Sequence, residues 1–207
     1  MNIHVENLGK KYGPNWVFRK LNTEIESGDA VAITGSNGSG KSTLLQLLSG
    51  FLLPSKGEVK YATKESGFLS AEDALFRMSV AAPYIEVIED FTLAELLDFH
   101  FKFRRLTLDH HEDFIQKLYL QGNEEKLIKN FSSGMKQRLK LGLAFYSKAD
   151  VVFLDEPTTN LDERGYNWYL EQVEKQLNQK TFIISSNEKK EYGFCNKIID
   201  MNSEFYK

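Results

Sequence analysis

Apolar and polar residues alternate through Ile3-His4-Val5-Glu6-Asn7-Leu8, which predicts a strand with one buried face. A second β-like stretch starts at Trp16-Val17-Phe18 and continues through Leu21, Thr23 and Ile25. Between them Lys10-Lys11-Tyr12-Gly13-Pro14 reads as a turn with one aromatic ring near it, and Gly28-Asp29 as a second turn. The run Ala30-Val31-Ala32-Ile33 then predicts a strand, and Thr43-Leu44-Leu45-Gln46-Leu47-Leu48 a helix that Gly50 ends. Pro54-Ser55-Lys56-Gly57 predicts a turn before a strand over Glu58-Val59-Lys60-Tyr61. Met78 to Pro83 reads as a short buried strand cut off by proline. From Phe91 the pattern changes to helical spacing, over Phe91 to Phe101 and again over Asp113 to Leu120, so a helical insert occupies the middle of the chain. A helix opens near Asn130-Phe131-Ser132-Ser133-Gly134 and runs to Phe145. Val151-Val152-Phe153-Leu154 and Phe182-Ile183-Ile184 are continuous apolar runs, as in parallel strands buried on both faces. Early antiparallel strands followed by buried parallel ones predict an α/β protein.

Composition narrows this only a little. At 207 residues the chain fits one domain with subdomains, and no repeat or low-complexity linker divides it. A formal net charge of −3 carries no electrostatic footprint for nucleic acid, so no nucleic-acid partner is expected. Cys195 is the single cysteine, which excludes an intrachain disulfide and a thiolate metal cluster and fits a reducing cytoplasm; packing is its expected role. No apolar run approaches the ~18 residues of a membrane span, and the first residues lack the basic and apolar segments of a signal peptide. His100, His110 and His111 fall in the helical insert, where nearby carboxylates make no convincing metal set.

The chemistry begins at Gly35-Ser36-Asn37-Gly38-Ser39-Gly40-Lys41-Ser42, which matches G-x-x-x-x-G-K-[ST] between a predicted strand and a predicted helix. Phosphate oxygens need many donors converging on a small volume. Glycines let the backbone wrap so that its N–H groups point inward, and the helix N-terminus adds partial positive charge. Lys41 suits the β- and γ-phosphates, Ser42 offers a hydroxyl to Mg²⁺, and Thr43 faces the α-phosphate. The chain is therefore expected to bind a nucleoside triphosphate. Downstream, the apolar run 151–154 delivers Asp155 and Glu156 to the carboxyl edge of the sheet. Asp155 suits Mg²⁺, and Glu156 suits orientation and deprotonation of an attacking water. Two readings stay open elsewhere: the serine- and glycine-rich start at Ser132-Ser133-Gly134 is either an anion site or ordinary capping, and Tyr12 is either a base-stacking ring or a packed turn tyrosine.

Taken together, Tyr12, Gly35 to Thr43, Phe131 to Arg138, Val151 to Pro157 and Thr159-Asn160-Leu161-Asp162 resemble the nucleotide-binding subunit of ATP-binding cassette (ABC) transporters, over almost the whole chain. The resemblance implies a P-loop NTPase of RecA-like type, with a mainly parallel core sheet, an N-terminal antiparallel β subdomain and a helical subdomain inserted before the signature at residues 131–138. It implies one ABC ATPase domain over 1–207, with the core and β subdomain in 1–83 and 148–207 and the helical subdomain in about 84–147. ATP and Mg²⁺ are the implied cofactors. Tyr12 becomes the adenine-stacking ring, Gly35, Ser36, Asn37, Gly38, Ser39, Gly40, Lys41, Ser42 and Thr43 the phosphate site, and Ser42 and Asp155 the metal site. Ser132, Ser133 and Gly134 would close the ATP site of a second cassette, in a homodimer or heterodimer that Asn160-Leu161-Asp162 helps to form. The implied partner is a polytopic membrane subunit, with the chain peripheral on the cytoplasmic face, and the length leans towards an export-type subunit.

Three departures from the family pattern stand out. Phe131, Ser133 and Met135 replace usual signature residues. Tyr84 stands where the family places a glutamine, and it is a poor magnesium ligand. Asn187 stands where the family places a histidine, so the catalytic set becomes Glu156, Lys41 and Asn187, with a neutral amide in place of a titratable ring. Slow hydrolysis is expected. The competing expectations are a soluble ABC protein outside transport and an ATP-binding regulatory module with weak turnover.

Overall fold

The first hairpin buries Ile3, Val5, Leu8, Phe18, Leu21 and Ile25 on one face, as the alternation predicts. In the computed structural model, which describes residues 1–104 and 106–203, β1 (Asn2–Tyr12) and β2 (Asn15–Ile25) pair antiparallel from Ile3↔Ile25 to Tyr12↔Asn15. Lys10 to Tyr12 therefore belong to the strand rather than to a turn. The reversal needs only Gly13 and Pro14, because Gly13 takes φ 57° and lets a two-residue connection close the hairpin. β4 (Lys56–Thr63) pairs with the other edge of β1, and β5 (Gly67–Phe68) pairs with β4, giving the order β2-β1-β4-β5. Gly57, expected in a turn, lies inside β4 at φ 76°. A Cβ there would stand 2.3 Å from the carbonyl oxygens of Glu6 and Asn7, so the register shift between Glu6 and Gly9 of β1 requires glycine opposite it.

The second sheet is wholly parallel. It orders β6 (Met78–Ala81), β7 (Val151–Asp155), β8 (Thr181–Ser185), β3 (Ala30–Thr34) and β9 (Lys197–Asp200) as β6-β7-β8-β3-β9. Successive strand residues face two different cores. Val31, Ile33, Val151, Phe153 and Ile183 pack with Leu44, Leu45 and Leu48 of α1 (Lys41–Leu48) and with the antiparallel sheet. Val152, Leu154, Phe182 and Ile184 pack with α3 (Leu93–Phe103), α4 (His111–Lys117), α5 (Ser133–Phe145) and α6 (Glu163–Gln176). Burial on both faces is why these strands read as unbroken apolar runs.

The helical insert starts where the spacing predicts, two residues after its first aromatic, Phe91. Thr92 caps α3 with a full capping box: its hydroxyl accepts from Glu95 N at 3.2 Å, and Glu95 returns a carboxylate oxygen to Thr92 N at 2.8 Å. The second helical run ends at Lys117, and Leu118 and Leu120 stay buried beyond it. Three elements carry weak patterns and were not expected: β5, α2 (Ala71–Phe76) and β9. α6 and the short α7 (Lys189–Tyr192) were not expected either. Among the described residues no helix is long and apolar enough to cross a membrane.

Candidate nucleotide site

All five parallel strands end on one edge, and the candidate residues lie in the loops that leave it. After β3 the chain turns through Gly35, Gly38 and Gly40, at φ 140°, 81° and 101°. A Cβ on Gly35 would stand 2.6 Å from Ser39 Oγ, and one on Gly40 2.5 Å from Val17 Cγ1, while the space at Gly38 is open. The loop thus wraps tightly on its closed sides and leaves a concave opening of backbone N–H groups. The first turn of α1 places the N–H groups of Lys41, Ser42 and Thr43 at that opening without intrahelical acceptors. Lys41 folds back along the loop, buried, and its ammonium donates to Gly35 O at 2.9 Å and Ser36 O at 3.2 Å. Ser39 Oγ is buried with no partner.

Beside this loop, Asp155 closes β7 in register with Ser185 of β8, and Ser185 is in register with Ile33 of β3. Strand parity turns Asp155 and Ser185 to the face that carries α1. Asp155 is 2% exposed, and its Oδ1 and the Ser185 hydroxyl are both buried without a hydrogen-bond partner. Two orphaned oxygens at the mouth of a phosphate loop, one from a carboxylate, fit a hard cation such as Mg²⁺, and Ser42 lies in the first turn of the adjoining helix. Glu156 is exposed and takes φ 46°, with its N–H on Ser185 O at 2.9 Å. A left-handed glutamate directly after a buried strand is the kind of backbone outlier found at functional turns.

From the end of β8, Asn187 Nδ2 donates to Asn37 Oδ1 at 2.7 Å, so the residue in the histidine position lies on the phosphate loop. Tyr84 follows β6 and reaches the same region. Burial, then the charge of Asp155, pushes its phenol well above the usual range, and a hydrogen bond with Gln46 of α1 pulls the other way. Tyr84 therefore stands beside Asp155 as a neutral phenol.

Tyr12 ends β1 with its ring 55% exposed, under the Lys10 ammonium at 5.3 Å from the centroid. This is not a packed turn tyrosine. Val17 and Phe18 of the same hairpin rest on Gly40, which sets the hairpin against the phosphate loop. The serine-glycine start does cap its helix, since Ser132 Oγ accepts from Met135 N at 3.2 Å, and it leaves Ser132 and Ser133 exposed. Its neighbours are the loops after β7: a Cβ on Gly134 would stand 3.1 Å from Asn160 O, and Gln137 Nε2 donates to Pro157 O at 2.7 Å. Among the described residues no group of three or more histidine, cysteine, aspartate or glutamate side chains is placed to hold a metal. Burial pushes the Cys195 thiol up to about 12, which makes it a packing residue and an unreactive one.

Sequence reasoning missed two supports of the site. Asn202 Oδ1 accepts from Ser36 N at 3.1 Å and Ser36 Oγ at 2.9 Å, tying the phosphate loop to the chain after β9. Recognising Ile198-Ile199 as a strand parallel to β3 would have placed Asn202 at this edge. Glu191 of α7, buried at 3% exposure, binds the loops after β7 and β8 at once. Only its place four residues after Asn187 hinted at it.

Phosphate loop, orphaned strand-end carboxylate and order β6-β7-β8-β3-β9 define a P-loop nucleotide-binding α/β protein. The family model described as ABC transporter matches residues 18–159. An uncharacterized ABC transporter ATP-binding protein of Bacillus subtilis, YybJ, is 30% identical over 207 residues, covering 97% of this chain and 92% of that protein. The linearmycin resistance ATP-binding protein LnrL of the same organism is 29% identical over 95% of this chain and 65% of its own length. Among solved structures, the bacterial ABC transporter cassette MJ0796, solved as a dimer, superposes with a TM-score of 0.80 at 21% identity, over 96% of this chain and 93% of that one. The same cassette has also been solved in a post-hydrolysis state bound to ADP and Pi. The chain belongs to the ABC transporter family, as an ATP-binding cassette subunit.

Proposed function

We propose that this chain is a Mg²⁺-dependent ATPase that binds ATP on the loop 35–43 and hydrolyses it slowly to drive a separate membrane subunit. The observation that carries the reading is one sheet edge bearing Lys41 on the phosphate loop, the orphaned Asp155 Oδ1, and Asn187 bonded to Asn37. Triphosphate oxygens replace the Gly35 and Ser36 carbonyls as partners of the Lys41 ammonium, while the N–H groups of residues 38–43 and the start of α1 hold the remaining charge. Ser42 and Asp155 would hold Mg²⁺, which supplies charge neutralisation at the phosphates. Glu156 orients and deprotonates the attacking water. Asn187 offers a neutral donor to the transferred phosphoryl group, weaker than a cationic one, and Tyr84 offers a hydroxyl in place of a metal-binding amide. The neutral donor is why turnover is slow.

Pairing with a second cassette, like this chain or different from it, completes the site. Ser132, Ser133 and Gly134 stand at an exposed helix start beside Asn160, open to the ATP of a facing subunit, as suits a family in which the MJ0796 cassette is a dimer. A cavity of about 490 Å³ lined by Phe51, Leu75, Ile85, Val87, Ile88 and Phe99 suits an apolar segment of the membrane subunit, from the cytoplasmic side. Its wall at 85–88 continues directly from Tyr84, so docking there bears on the metal edge.

Titration of a fluorescent ATP analogue into wild type and Lys41→Ala tests nucleotide binding. Hydrogen bonds to charged groups are worth ~1.5–3 kcal/mol, so the variant is expected to bind about 10- to 100-fold more weakly. Equal affinities would contradict the assignment of the phosphate site. A regulatory module that holds ATP without turnover, the reading that Tyr84 and Asn187 favour, gives the same binding result but no phosphate release.

A further inference from the structure

The loop that carries Glu156 and the loop that carries Asn187 share one buried partner. Glu191 Oε1 accepts from Thr158 N at 3.1 Å and from the Thr158 hydroxyl, and its Oε2 accepts from the Ser186 hydroxyl. Thr158 lies two residues beyond Glu156, and Ser186 immediately precedes Asn187. We propose that Glu191 is a positioning residue for ATP hydrolysis, whose single carboxylate fixes these two loops relative to each other and so aims Glu156 and Asn187 at the phosphate loop. The inference rests on the hydrolytic reading above.

Three features carry it. Glu191 is only 3% exposed, although it sits on a four-residue helix at the surface edge of the sheet, where a glutamate is free to point into water. Burying a carboxylate is costly unless its oxygens are satisfied, and here both are, by donors from two separate loops. The residue is itself anchored from behind: the hydroxyl of the buried Tyr169 in α6 donates to Glu191 O at 2.8 Å, and Glu191 N donates to Glu188 O at 2.8 Å. Finally, the backbone ties already present run from each loop to a neighbouring strand, and the carboxylate adds a tie between the two loops. Glu156 N donates to Ser185 O at 2.9 Å and Ser186 N to Ile33 O at 3.1 Å, which pins the first residue of each loop to the end of the neighbouring strand, while Glu191 joins Thr158 of one loop to Ser186 of the other. A catalytic base displaced by about 1 Å loses rate by up to ~100-fold, so a tie of this kind acts on turnover more than on ground-state nucleotide binding, which the loop 35–43 provides.

Glu191→Gln separates this role from a merely structural one. The carboxamide oxygen still accepts from Thr158, but its NH₂ end cannot accept from Ser186; it can only donate to the one lone pair that Glu188 N–H, at 2.9 Å, leaves on the hydroxyl oxygen, which reverses that bond, removes its charge assistance and leaves the Ser186 proton without its acceptor. Steady-state phosphate release by the full chain, with thermal melting of each protein alongside, is expected to show kcat about tenfold lower and KM for ATP within about twofold of wild type. Thr158→Val keeps the backbone bond and removes only the hydroxyl arm, and Ser186→Ala removes the other arm together with the acceptor of Glu188 N–H. Each is expected to lower kcat about threefold at unchanged KM, and these two carry the test if Glu191→Gln does not fold. Wild-type turnover with kcat unchanged in the variants, whatever their melting temperatures, would overturn the positioning role alone. A wild type that binds ATP but releases no phosphate would overturn the hydrolytic reading and this role with it.

Discussion

Asn187 occupies the place from which a side chain reaches the phosphate loop, and its amide, although exposed, donates to Asn37 Oδ1 at 2.7 Å. On the hydrolytic reading proposed above, a donor kept at that spot would lower the barrier only as far as a neutral hydrogen bond allows, about 1 kcal/mol less than a charged one. Asn187→Ala is therefore expected to slow phosphate release about fivefold, and Asn187→His to leave it unchanged or raise it, measured at saturating ATP. A faster Asn187→Ala would show that the amide holds the loop shut instead of assisting the reaction. At this scale the sequence was informative wherever chemistry restricts the residue type. The loop glycines at positive φ, Lys41, and the acids ending an apolar run could be read directly. Asn202 and Glu191 could not, because their partners are set by folding: Asn202 meets Ser36 across 166 positions of sequence, and Glu191 meets Thr158 across 33.

Among the elements, those buried on both faces announced themselves, and the parallel strands β3, β7 and β8 fall within a residue or two of the apolar runs that predict them. Helix α6 did not, since its buried face is Gly165, Trp168, Tyr169, Gln172 and Val173, where helical spacing is present but glycine and glutamine hide it. Its Asp162 cap, whose Oδ1 accepts from Gly165 N at 2.8 Å, was read only as part of a subunit-facing loop. The strand runs on through Lys10 to Tyr12, beyond the predicted five-residue turn, because Gly13 permits a tighter reversal. Helix starts carry measurable energy. Thr92→Ala removes one half of the capping box of α3 and leaves Glu95 N without its side-chain acceptor, so denaturant unfolding is expected to show a loss of about 1 kcal/mol at unchanged m-value. A loss below about 0.3 kcal/mol would mean that the insert is held by packing alone.

For the molecule as a whole, the parallel sheet separates two apolar cores, one under the antiparallel sheet and α1, the other under the helical insert, and the nucleotide edge runs along the boundary between them. The chain's order of elements made that architecture legible, because an early hairpin, a phosphate loop and a helical interruption before the serine-glycine helix leave few ways to assemble. What no local pattern conveys is how the edge is completed: by the hairpin end at Tyr12, by the C-terminal strand through Asn202, and by a carboxylate behind the loops. On the hydrolytic reading proposed above, these supports hold ATP where Glu156 would direct water at it. The most direct test is phosphate release from ATP and Mg²⁺ by wild type and Glu156→Gln, at equal and saturating occupancy. General-base contributions of about 10²–10⁴ predict slow but measurable release by wild type and at least ~100-fold less by the variant, with ATP binding retained in both. Equal release by the two proteins, or none from wild type even with its membrane partner present, would contradict the account.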